Sequence, residues 1–260
     1  MKLKMFQVDA FTDHLFGGNP AAVIPLDKWV PKELMQKIAA ENNLSETAFY
    51  VPTNDGFDLR WFTPGTEVNL CGHATLAAAH VLFHHQNYKN PEIKFFSNSG
   101  LLTVKKENDW LTLNFPMDNL TEVEPPAVLF DAFNLKPLST FKGKENYLVV
   151  LHSQEEVINA SPNLKLLKQL HSLGVIITAK GNDVDFVSRF FAPNAGIDED
   201  PVTGSAHTSL TPFWANELKK NELTALQVSK RGGYLLCRLY NERVLISGKA
   251  VTFFVGEIEI

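Results

Sequence analysis

Glu46 lies in residues 43–49 (NLSETAF), at the point where a helical pattern gives way to an apolar strand. A carboxylate at the edge of a hydrophobic core is costly unless it is paired, and burial moves its protonation toward the range that suits a general base. Glu46 is therefore a candidate for moving a proton on a substrate. The alternative is a capping or solvent-facing glutamate, which is the commonest role of a single Glu at the start of a strand.

Two glycines, Gly72 and Gly204, each open a helical pattern and are followed by a polar residue, His73 and Ser205 respectively. Glycine lets the backbone approach a ligand closely, and the unpaired N–H groups in the first turn of a helix attract carboxylates and phosphates. Two such helix starts facing each other would hold a small acid between two domains. The alternative is that both glycines only permit tight packing of a helix on a strand.

An acidic cluster, residues 198–200 (DED), precedes Pro201 and the second of these helix starts. Asp200 could place its carboxylate in the same cleft as His73. The alternative is a solvated loop whose acidic residues are favoured by the dipole of the helix that follows.

Cys71 stands immediately before the first glycine-led helix, a position that lowers the pKa of a thiol and lets it act as an acid or a base. A racemase that uses two thiols would need a second cysteine. The matching position in the second half of the chain is Thr203, and Cys237 lies in a strand pattern. Proton exchange between two thiols is therefore not predicted.

Three histidines, His80, His84 and His85, follow in the same helical pattern, and an i, i+4 pair of histidines can bind a metal. No acidic third ligand stands at the spacing of a metalloprotease, so we interpret all three as partly exposed helix residues and predict no metal. The sequence contains no G-x-G-x-x-G, no Walker loop and no G-x-S-x-G, which argues against nucleotide-binding and serine-hydrolase functions.

The elements that must position these residues follow from hydrophobic periodicity. The first strand alternates, with Phe6, Val8 and Ala10 on one face. Helices are predicted at residues 31–42, 72–86, 162–173 and 204–218. Most of the remaining chain reads as short strands separated by turns, so the pattern predicts an α+β fold.

An internal repeat divides the chain into two halves. Residues 60–64 (RWFTP) match 189–193 (RFFAP) at an offset of 129, and residues 70–74 (LCGHA) face 202–206 (VTGSA) at an offset of 132. In each copy a strand ends, a polar loop follows and a glycine opens a helix, which predicts a duplicated domain with pseudo-two-fold symmetry. The alternative is coincidence between two ordinary strand–loop–helix units. The counterpart of Glu46 falls near Ile177, so the carboxylate is present only once.

Composition excludes several classes of protein. The chain has 260 residues, with 24 Lys+Arg against 29 Asp+Glu and a net charge of -5. Without a basic excess, nucleic-acid binding is disfavoured. No apolar stretch approaches the about 20 residues of a membrane span, and the N-terminus lacks the apolar core of a signal peptide. Two cysteines cannot form a disulfide framework. We therefore expect a cytoplasmic globular protein with neither nucleic-acid nor membrane partners.

Six motifs, in this order along the chain, resemble the PhzF-like (phenazine biosynthesis-like) isomerase family. They are residues 8–12 (VDAFT), 16–23 (FGGNPAAV), 42–49 (NNLSETAF), 60–64 (RWFTP), 71–75 (CGHAT) and 200–207 (DPVTGSAH). The family is similar in fold to diaminopimelate epimerase. The resemblance implies two similar domains, each a mixed β-sheet rolled around a central helix, with the active site between them.

The resemblance also implies a proton shuttle that needs no cofactor. In the phenazine enzyme, the glutamate of the S-E-T-A-F motif moves a proton between carbons of a dihydro-hydroxyanthranilate ring, and Glu46 stands at that position. The residues implied to bind the substrate are Asn19, Gly72, His73, Asp200, Gly204 and Ser205. The thiol pair of diaminopimelate epimerase maps onto Cys71 and Thr203, so epimerase chemistry is not supported. A homodimer is implied by the family alone.

We therefore predict a cofactor-independent isomerase of a biosynthetic process that shifts a proton on a small carboxylate-bearing metabolite, with Glu46 as the general acid/base in the interdomain cleft. One alternative is an amino-acid epimerase or racemase, whose second base could only be Cys71. Another is a non-catalytic protein that binds small acids, which would not need a buried base. The predicted domains are residues 1–117 and 118–254, with residues 255–260 returning to the first.

Overall fold

A computed structural model describes residues 1–260 and divides the chain into two compact units. Unit 1 comprises Met1–Asn114 and Ser247–Ile260, and unit 2 comprises Phe115–Ile246. The return to unit 1 begins earlier than residue 255, because the last strand is one long element, Ala250–Glu259, that pairs along its whole length with the first strand. None of the helices combines the length and the apolar character that a bilayer span requires.

Unit 1 contains nine strands and two helices. They are β1 (Lys2–Ala10), β2 (Asn19–Pro25), α1 (Lys32–Asn42), β3 (Glu46–Thr53), β4 (Gly56–Phe62), β5 (Glu67–Val68), α2 (Gly72–His85), β6 (Glu92–Ser97), β7 (Gly100–Glu107), β8 (Trp110–Pro116) and, from the end of the chain, β18 (Ala250–Glu259).

The sheet of unit 1 is mixed. Strand β1 pairs antiparallel with both β18 and β2, β2 runs parallel to β3, and β3 pairs antiparallel with β4. Strand β4 runs parallel to β6, and β6, β7 and β8 form an antiparallel meander. Helix α2 packs on β1, β2, β3 and β18, and twelve of its residues are buried. Its Ala- and Leu-rich sequence is apolar on every side, as a helix enclosed by a sheet requires.

Unit 2 contains the remaining elements. They are β9 (Thr121–Glu122), α3 (Ala127–Phe133), β10 (Ser139–Lys142), β11 (Asn146–Val150), α4 (Gln154–Asn159), α5 (Leu164–Leu167), β12 (Gly174–Lys180), β13 (Phe186–Ala192), a 3₁₀ turn (Pro193–Ala195), β14 (Ile197–Asp200), α6 (His207–Leu218), β15 (Glu222–Gln227), β16 (Gly233–Tyr240) and β17 (Arg243–Gly248).

Unit 2 repeats the strand pairing of unit 1. Strands β10 and β11 are antiparallel, β11 and β12 parallel, β12 and β13 antiparallel, β13 and β15 parallel, and β15 and β16 antiparallel. The counterpart of α2 is α6, which packs on β15 and β16. The predicted α+β fold class, with two similar mixed sheets each built on one helix, is therefore confirmed.

An arginine–glutamate pair recurs at equivalent places in the two units. Arg60 of β4 binds Glu67 through Nε and Nη2, at 2.7 and 2.9 Å. Arg189 of β13 binds Glu199 in the same two-pronged way, at 2.6 and 2.9 Å. Such paired N–H···O bonds fix both geometry and charge. They support the duplication that the repeated sequence predicts.

The register corrects one detail of the repeat. Arg60 lies opposite Phe49 and Arg189 lies opposite Ile177, so Ile177 is the counterpart of Phe49. Counting back along each strand makes Gly174, and not Ile177, the counterpart of Glu46. The motifs pointed to a counterpart three residues too far along the chain, because the loops in the two halves differ in length. The carboxylate is nevertheless present only once.

Two predicted helices are shorter in the structure. Residues 162–173 contain only the single turn α5, because the hydrogen bonds that follow it are of the i→i+3 type, from Gln169 to Leu166 and from Leu170 to Leu167. Helix α6 begins at His207 instead of Gly204. The preceding residues form a tighter turn, in which the N–H of His207 is donated to the carbonyl of Gly204 at 3.1 Å.

The histidines of α2 also differ from the prediction, because His80 is buried. Its Nε2 lies 2.9 Å from the Thr252 hydroxyl of β18, and Nε2 of His85 lies 2.8 Å from the same oxygen. Burial, followed by the charges of His84 and His85, lowers the pKa of His80 to about 3. These side chains therefore tie α2 to the last strand of unit 1.

Candidate active site

Glu46 is the first residue of β3, and the end of α1 places it there. The residue after the helix, Asn43, adopts a left-handed conformation (φ 49°) and donates its N–H to the carbonyl of Ala39 at 3.2 Å. Asparagine tolerates this conformation better than most residues do. The left-handed residue ends the helix and turns the chain toward strand β3. The parallel register with β2 then sets Glu46 beside Ala21, and only 8% of Glu46 stays exposed.

His73 is the second residue of α2, and Cys71 is the residue immediately before the helix. Cys71 is extended (φ -147°, ψ 112°), and its carbonyl accepts both the N–H of Thr75 at 3.1 Å and the Thr75 hydroxyl at 2.5 Å. Gly72 and His73 therefore form the first turn of α2, where backbone N–H groups have no partner within the helix. Both residues are buried.

The carboxylate of Glu46 and the imidazole of His73 face each other. Nε2 of His73 lies 3.2 Å from Oε2 of Glu46, although the residues are far apart in sequence. Neither atom is exposed to solvent, and neither makes an aligned hydrogen bond. Buried polar atoms of this kind are rare, and they are found where a ligand, a proton or an ion completes the site. The pair is therefore the best candidate for the reacting centre.

The second ring nitrogen of His73 has two neighbours. Nδ1 lies 3.2 Å from Nδ2 of Asn19 and 3.5 Å from Sγ of Cys71. If the Asn19 amide donates to Nδ1, the ring is neutral and carries its proton on Nε2, on the side of Glu46; when the ring is protonated, the amide turns its oxygen to Nδ1–H instead. Asn19 thus holds the imidazole in the orientation that a proton exchange with Glu46 requires.

Ionisation of the His73 and Cys71 side chains follows from their burial. Burial opposes the imidazolium form of His73, but its interactions with Cys71 and Glu46 together outweigh burial and raise the pKa of His73 well above its usual value. Burial, and after it the charge of Glu46, raises the pKa of Cys71 to about 11. The lowered thiol pKa expected from the sequence is therefore wrong, because desolvation exceeds the effect of the helix start. Cys71 is a neutral thiol near pH 7.

One ligand atom each from Glu46, Cys71 and His73 lie within 4.8 Å of one another. Carboxylate oxygen, thiolate sulfur and imidazole nitrogen are all common ligands of zinc. These three buried residues form the group in this protein that could hold a metal ion.

The remaining predicted residues, Asp200, Gly204 and Ser205, lie close together in unit 2. Asp200 ends β14 and is 7% exposed, and its Oδ2 accepts the hydroxyl of Thr203 at 2.5 Å. Gly204 is buried and Ser205 is exposed at the turn that leads into α6. The sequence predicts that this group and the Glu46–His73 pair share one substrate site, and this stays a prediction.

Sequence reasoning did not identify Gln227, which anchors that turn. Its Nε2 donates to the carbonyl of Asp200 at 2.7 Å, and its Oε1 accepts the N–H of Thr203 at 2.8 Å. Gln227 is 1% exposed at the end of β15. A polar residue closing a strand pattern was the only signal available, and it is common at strand ends.

The chain is similar to known proteins along almost its whole length. The model of the family "Phenazine biosynthesis-like protein" matches residues 8–256. An uncharacterized isomerase of Pseudomonas aeruginosa is 51% identical over 100% of both chains. The crystal structure of a phenazine biosynthesis protein of the PhzF family from Enterococcus faecalis is 44% identical and covers 100% of both chains with a TM-score of 0.98.

A more distant structure shares the fold alone. The hydroxyproline epimerase of Agrobacterium vitis is 11% identical, with a TM-score of 0.65 over 99% of this chain and 92% of its own. The epimerase-like fold expected from the sequence is thus confirmed. Because the family model and the relatives span nearly the whole chain, this protein belongs to the phenazine biosynthesis-like (PhzF-like) family.

Proposed function

We propose that this protein is an isomerase that moves a proton between carbons of a small carboxylate-bearing substrate, with Glu46 as the general acid/base. The observation that carries the proposal is the buried contact of 3.2 Å between Oε2 of Glu46 and Nε2 of His73, two atoms that make no aligned hydrogen bond. A general base must reach the proton that it takes, and these atoms are held ready for a substrate. The naming of relatives as isomerases agrees with this chemistry.

In the proposed mechanism, the Glu46 carboxylate takes a proton from one carbon of the substrate and returns it to another. The electron pair left behind moves through the substrate, so no redox cofactor is needed. His73 donates its Nε2 proton toward the charge that develops, and Asn19 keeps the ring in place. The N–H groups of the first turn of α2, at Gly72 and His73, would bind the substrate carboxylate.

We further propose that unit 2 contributes the rest of the substrate site. Asp200 and Ser205 offer an acceptor and a hydroxyl, and the turn at Gly204 offers backbone N–H groups. This part of the proposal rests on the sequence motif and on the local order of the turn. Binding measurements on variants of Asp200 and Ser205 test it directly.

The second candidate is an epimerase in which Cys71 is the opposing base. Its sulfur lies 3.5 Å from Nδ1 of His73, so a proton could pass from the thiol to the ring. Against this candidate, the pKa of Cys71 is raised to about 11 by burial and by Glu46, which leaves almost no thiolate at neutral pH. The isomerase is therefore the better-supported function.

Exchange with D2O separates the candidates. Ligands are first chosen from cyclic and amino-acid carboxylates by thermal shift and are then incubated with the protein in D2O. An isomerase transfers a hydrogen from one carbon of the substrate to another. An epimerase exchanges hydrogen for deuterium at a single carbon and inverts its configuration, whereas a binding protein exchanges no hydrogen. NMR and mass spectrometry read all three outcomes. Binding without any exchange would overturn the proposal.

A homodimer is also proposed, on the family membership. Sedimentation equilibrium should give twice the mass of the chain at micromolar concentration. A single-chain mass throughout the concentration series would contradict it without bearing on Glu46.

A further inference from the structure

The side chains of Glu46, Cys71 and His73 together have the donor atoms of a zinc site. Glu46, Cys71 and His73 offer oxygen, sulfur and nitrogen within 4.8 Å of one another, and all are less than one-tenth exposed, at 8%, 7% and 4%. Structural and catalytic zinc sites are built from these ligand types. Sequence patterns did not group these residues as a set, because Glu46 and the Cys71–His73 pair come from different elements.

A second observation points to a ligand at this place. Oε2 of Glu46 and Nε2 of His73 are both buried and have no aligned hydrogen bond, although they lie only 3.2 Å apart. Two ligands of one tetrahedral zinc ion are typically about 3.3 Å apart when both are nitrogen or oxygen, since each bond is about 2.0–2.1 Å long. The contact already has the length of one edge of such a site.

We propose that Glu46, Cys71 and His73 form a binding site for Zn²⁺, with Nε2 as the histidine ligand. Sγ of Cys71 lies 3.5 Å from the other ring nitrogen, Nδ1, so it moves to the Nε2 side of the ring to reach the usual zinc–sulfur distance of about 2.3 Å. The ring proton then resides on Nδ1, where the Asn19 amide, 3.2 Å away, can accept it after turning its oxygen inward. The fourth position is left for water or a substrate oxygen.

Zinc binding leaves the charges and protons balanced. The Cys71 thiol releases its proton to the buffer, and the sulfur lone pair enters the Zn–S bond. A protonated His73 likewise loses one proton, and no electron is transferred. With its carboxylate bound to the metal, Glu46 can no longer take a proton, so Zn²⁺ is an inhibitor and not a cofactor. The inhibition rests on the proposed function, whereas the binding does not.

Cobalt spectroscopy tests the binding without any substrate. Co²⁺ is added to the reduced, metal-free protein, and thiolate ligation is read from the sulfur-to-cobalt charge-transfer absorption, with tetrahedral geometry read from the visible bands. One equivalent should bind, and Zn²⁺ should displace it. Cys71→Ala should abolish the charge-transfer band, whereas Cys237→Ala, which removes the only other thiol, should leave it unchanged.

One ligand variant and one surface histidine variant complete the test. Glu46→Gln should weaken Zn²⁺ binding at least ~10-fold, the lower bound for losing even an outer partner of a metal. His84→Asn should not alter binding, although His84 stacks on His80 at the other end of α2. Circular dichroism checks that each variant is folded.

The proposal is overturned if Co²⁺ gives no thiolate band, or if the band persists in Cys71→Ala. It is also overturned if His84→Asn removes Zn²⁺ binding while Glu46→Gln retains it. A bound metal that fails to inhibit isomerisation would leave the site intact and contradict only the role given to Glu46 in catalysis.

Discussion

At the scale of single residues, two opposite effects act on the Glu46–His73 pair. Burial disfavours both charges, whereas the 3.2 Å separation favours having both. Charge attraction prevails for the imidazole, so the pKa of His73 is raised well above its usual value despite burial. A carboxylate with a proton donor at this distance, enclosed by protein, is suited to accept a proton from carbon and to return it.

The first prediction concerns Glu46→Gln, which keeps shape and polarity but cannot take a proton. Turnover on a substrate found by the exchange screen should fall at least ~10²-fold, the low end of what a general acid–base group contributes. Affinity for the substrate acid should remain within a few-fold, because the proposed contacts with the substrate carboxylate come from backbone N–H groups. Steady-state kinetics and calorimetry measure the two effects.

Glu41→Gln is the matched control, because Glu41 is exposed on α1 only five positions away. It should behave as the unmodified protein. Near-full activity of Glu46→Gln on an established substrate would show that another group carries the proton.

The second prediction concerns pH and His73. Because its pKa is higher in the folded protein than in the unfolded chain, His73 contributes stability that is fully present below the unfolded value of about 6.5 and is lost as pH rises through the folded value. The stability difference between the unmodified protein and His73→Gln should therefore be larger at about pH 6 than at about pH 9. Urea unfolding measures it.

An exposed histidine, His152, provides the control for this titration. The difference for His152→Gln should show no comparable decline with rising pH. A difference for His73→Gln that grows between pH 6 and pH 9 would mean that the neutral imidazole is the favoured form in the folded protein.

At the scale of elements, the turn between β14 and α6 is held from outside by β15. Gln227 bonds to Asp200 and Thr203, and the hydroxyl of Ser229 donates to the carbonyl of Pro201 at 2.7 Å. A short turn with so many bonds to one strand end has little freedom to move. Residues 200–203 are thus positioned by side chains 24 or more residues later in the chain.

The third prediction follows from this anchor. Gln227→Met keeps the length of the side chain but removes the buried hydrogen bonds from Gln227 to the Asp200 carbonyl and the Thr203 N–H, which should cost about 1–3 kcal/mol of unfolding free energy. Amide hydrogen exchange should accelerate at Thr203 more than in α2. Substrate affinity should fall in the same variant.

Gln86→Met is the control, because Gln86 is exposed. Unchanged amide exchange at Thr203 in Gln227→Met would show that the turn holds its shape without Gln227.

At the scale of the whole molecule, two units of the same topology contain the same kind of Arg–Glu pair in different surroundings. Both contain a two-pronged Arg–Glu pair. Glu67 also contacts Lys32 at 2.7 Å, and the hydrogen bonds from Arg60, with help from Lys32, lower the pKa of Glu67 to about 2. Arg189, in contrast, also donates through Nη1 to backbone carbonyls at the end of α4, including that of Ala160 at 2.7 Å. Duplication therefore preserved the pair but not its surroundings.

The fourth prediction compares the two arginines. Arg189→Met removes the partner of those carbonyls and the partner of Glu199, whereas Arg60→Met leaves Glu67 with Lys32. The loss of unfolding free energy should therefore be larger for Arg189→Met, by about 1–3 kcal/mol. Urea unfolding of both variants under identical conditions measures the difference, and equal losses would show that the carbonyl contacts add nothing.

Much of the fold was visible in the sequence, because it follows from local rules. The alternation in β1, the apolar pattern of α2 and the glycines at the two turns each specify an element without reference to the rest of the chain. The repeated RWFTP and RFFAP motifs identified the two halves, and the ordered motifs identified the family. Glu46, His73 and Asn19 were named as site residues on the same basis.

What the sequence could not show depends on contacts between distant parts of the chain. The distance of Glu46 from His73 and the contact of Gln227 with Asp200 depend on the register of β3 and β15, and a shift of one residue would turn Glu46 or Gln227 to the other face of its sheet. Burial also depends on the packing of the whole unit. Packing encloses His80, which the local pattern predicted to be partly exposed, and it raises the pKa of Cys71, which the local pattern predicted to be lowered. Local patterns specify elements, whereas packing sets the distances and desolvation on which the chemistry depends.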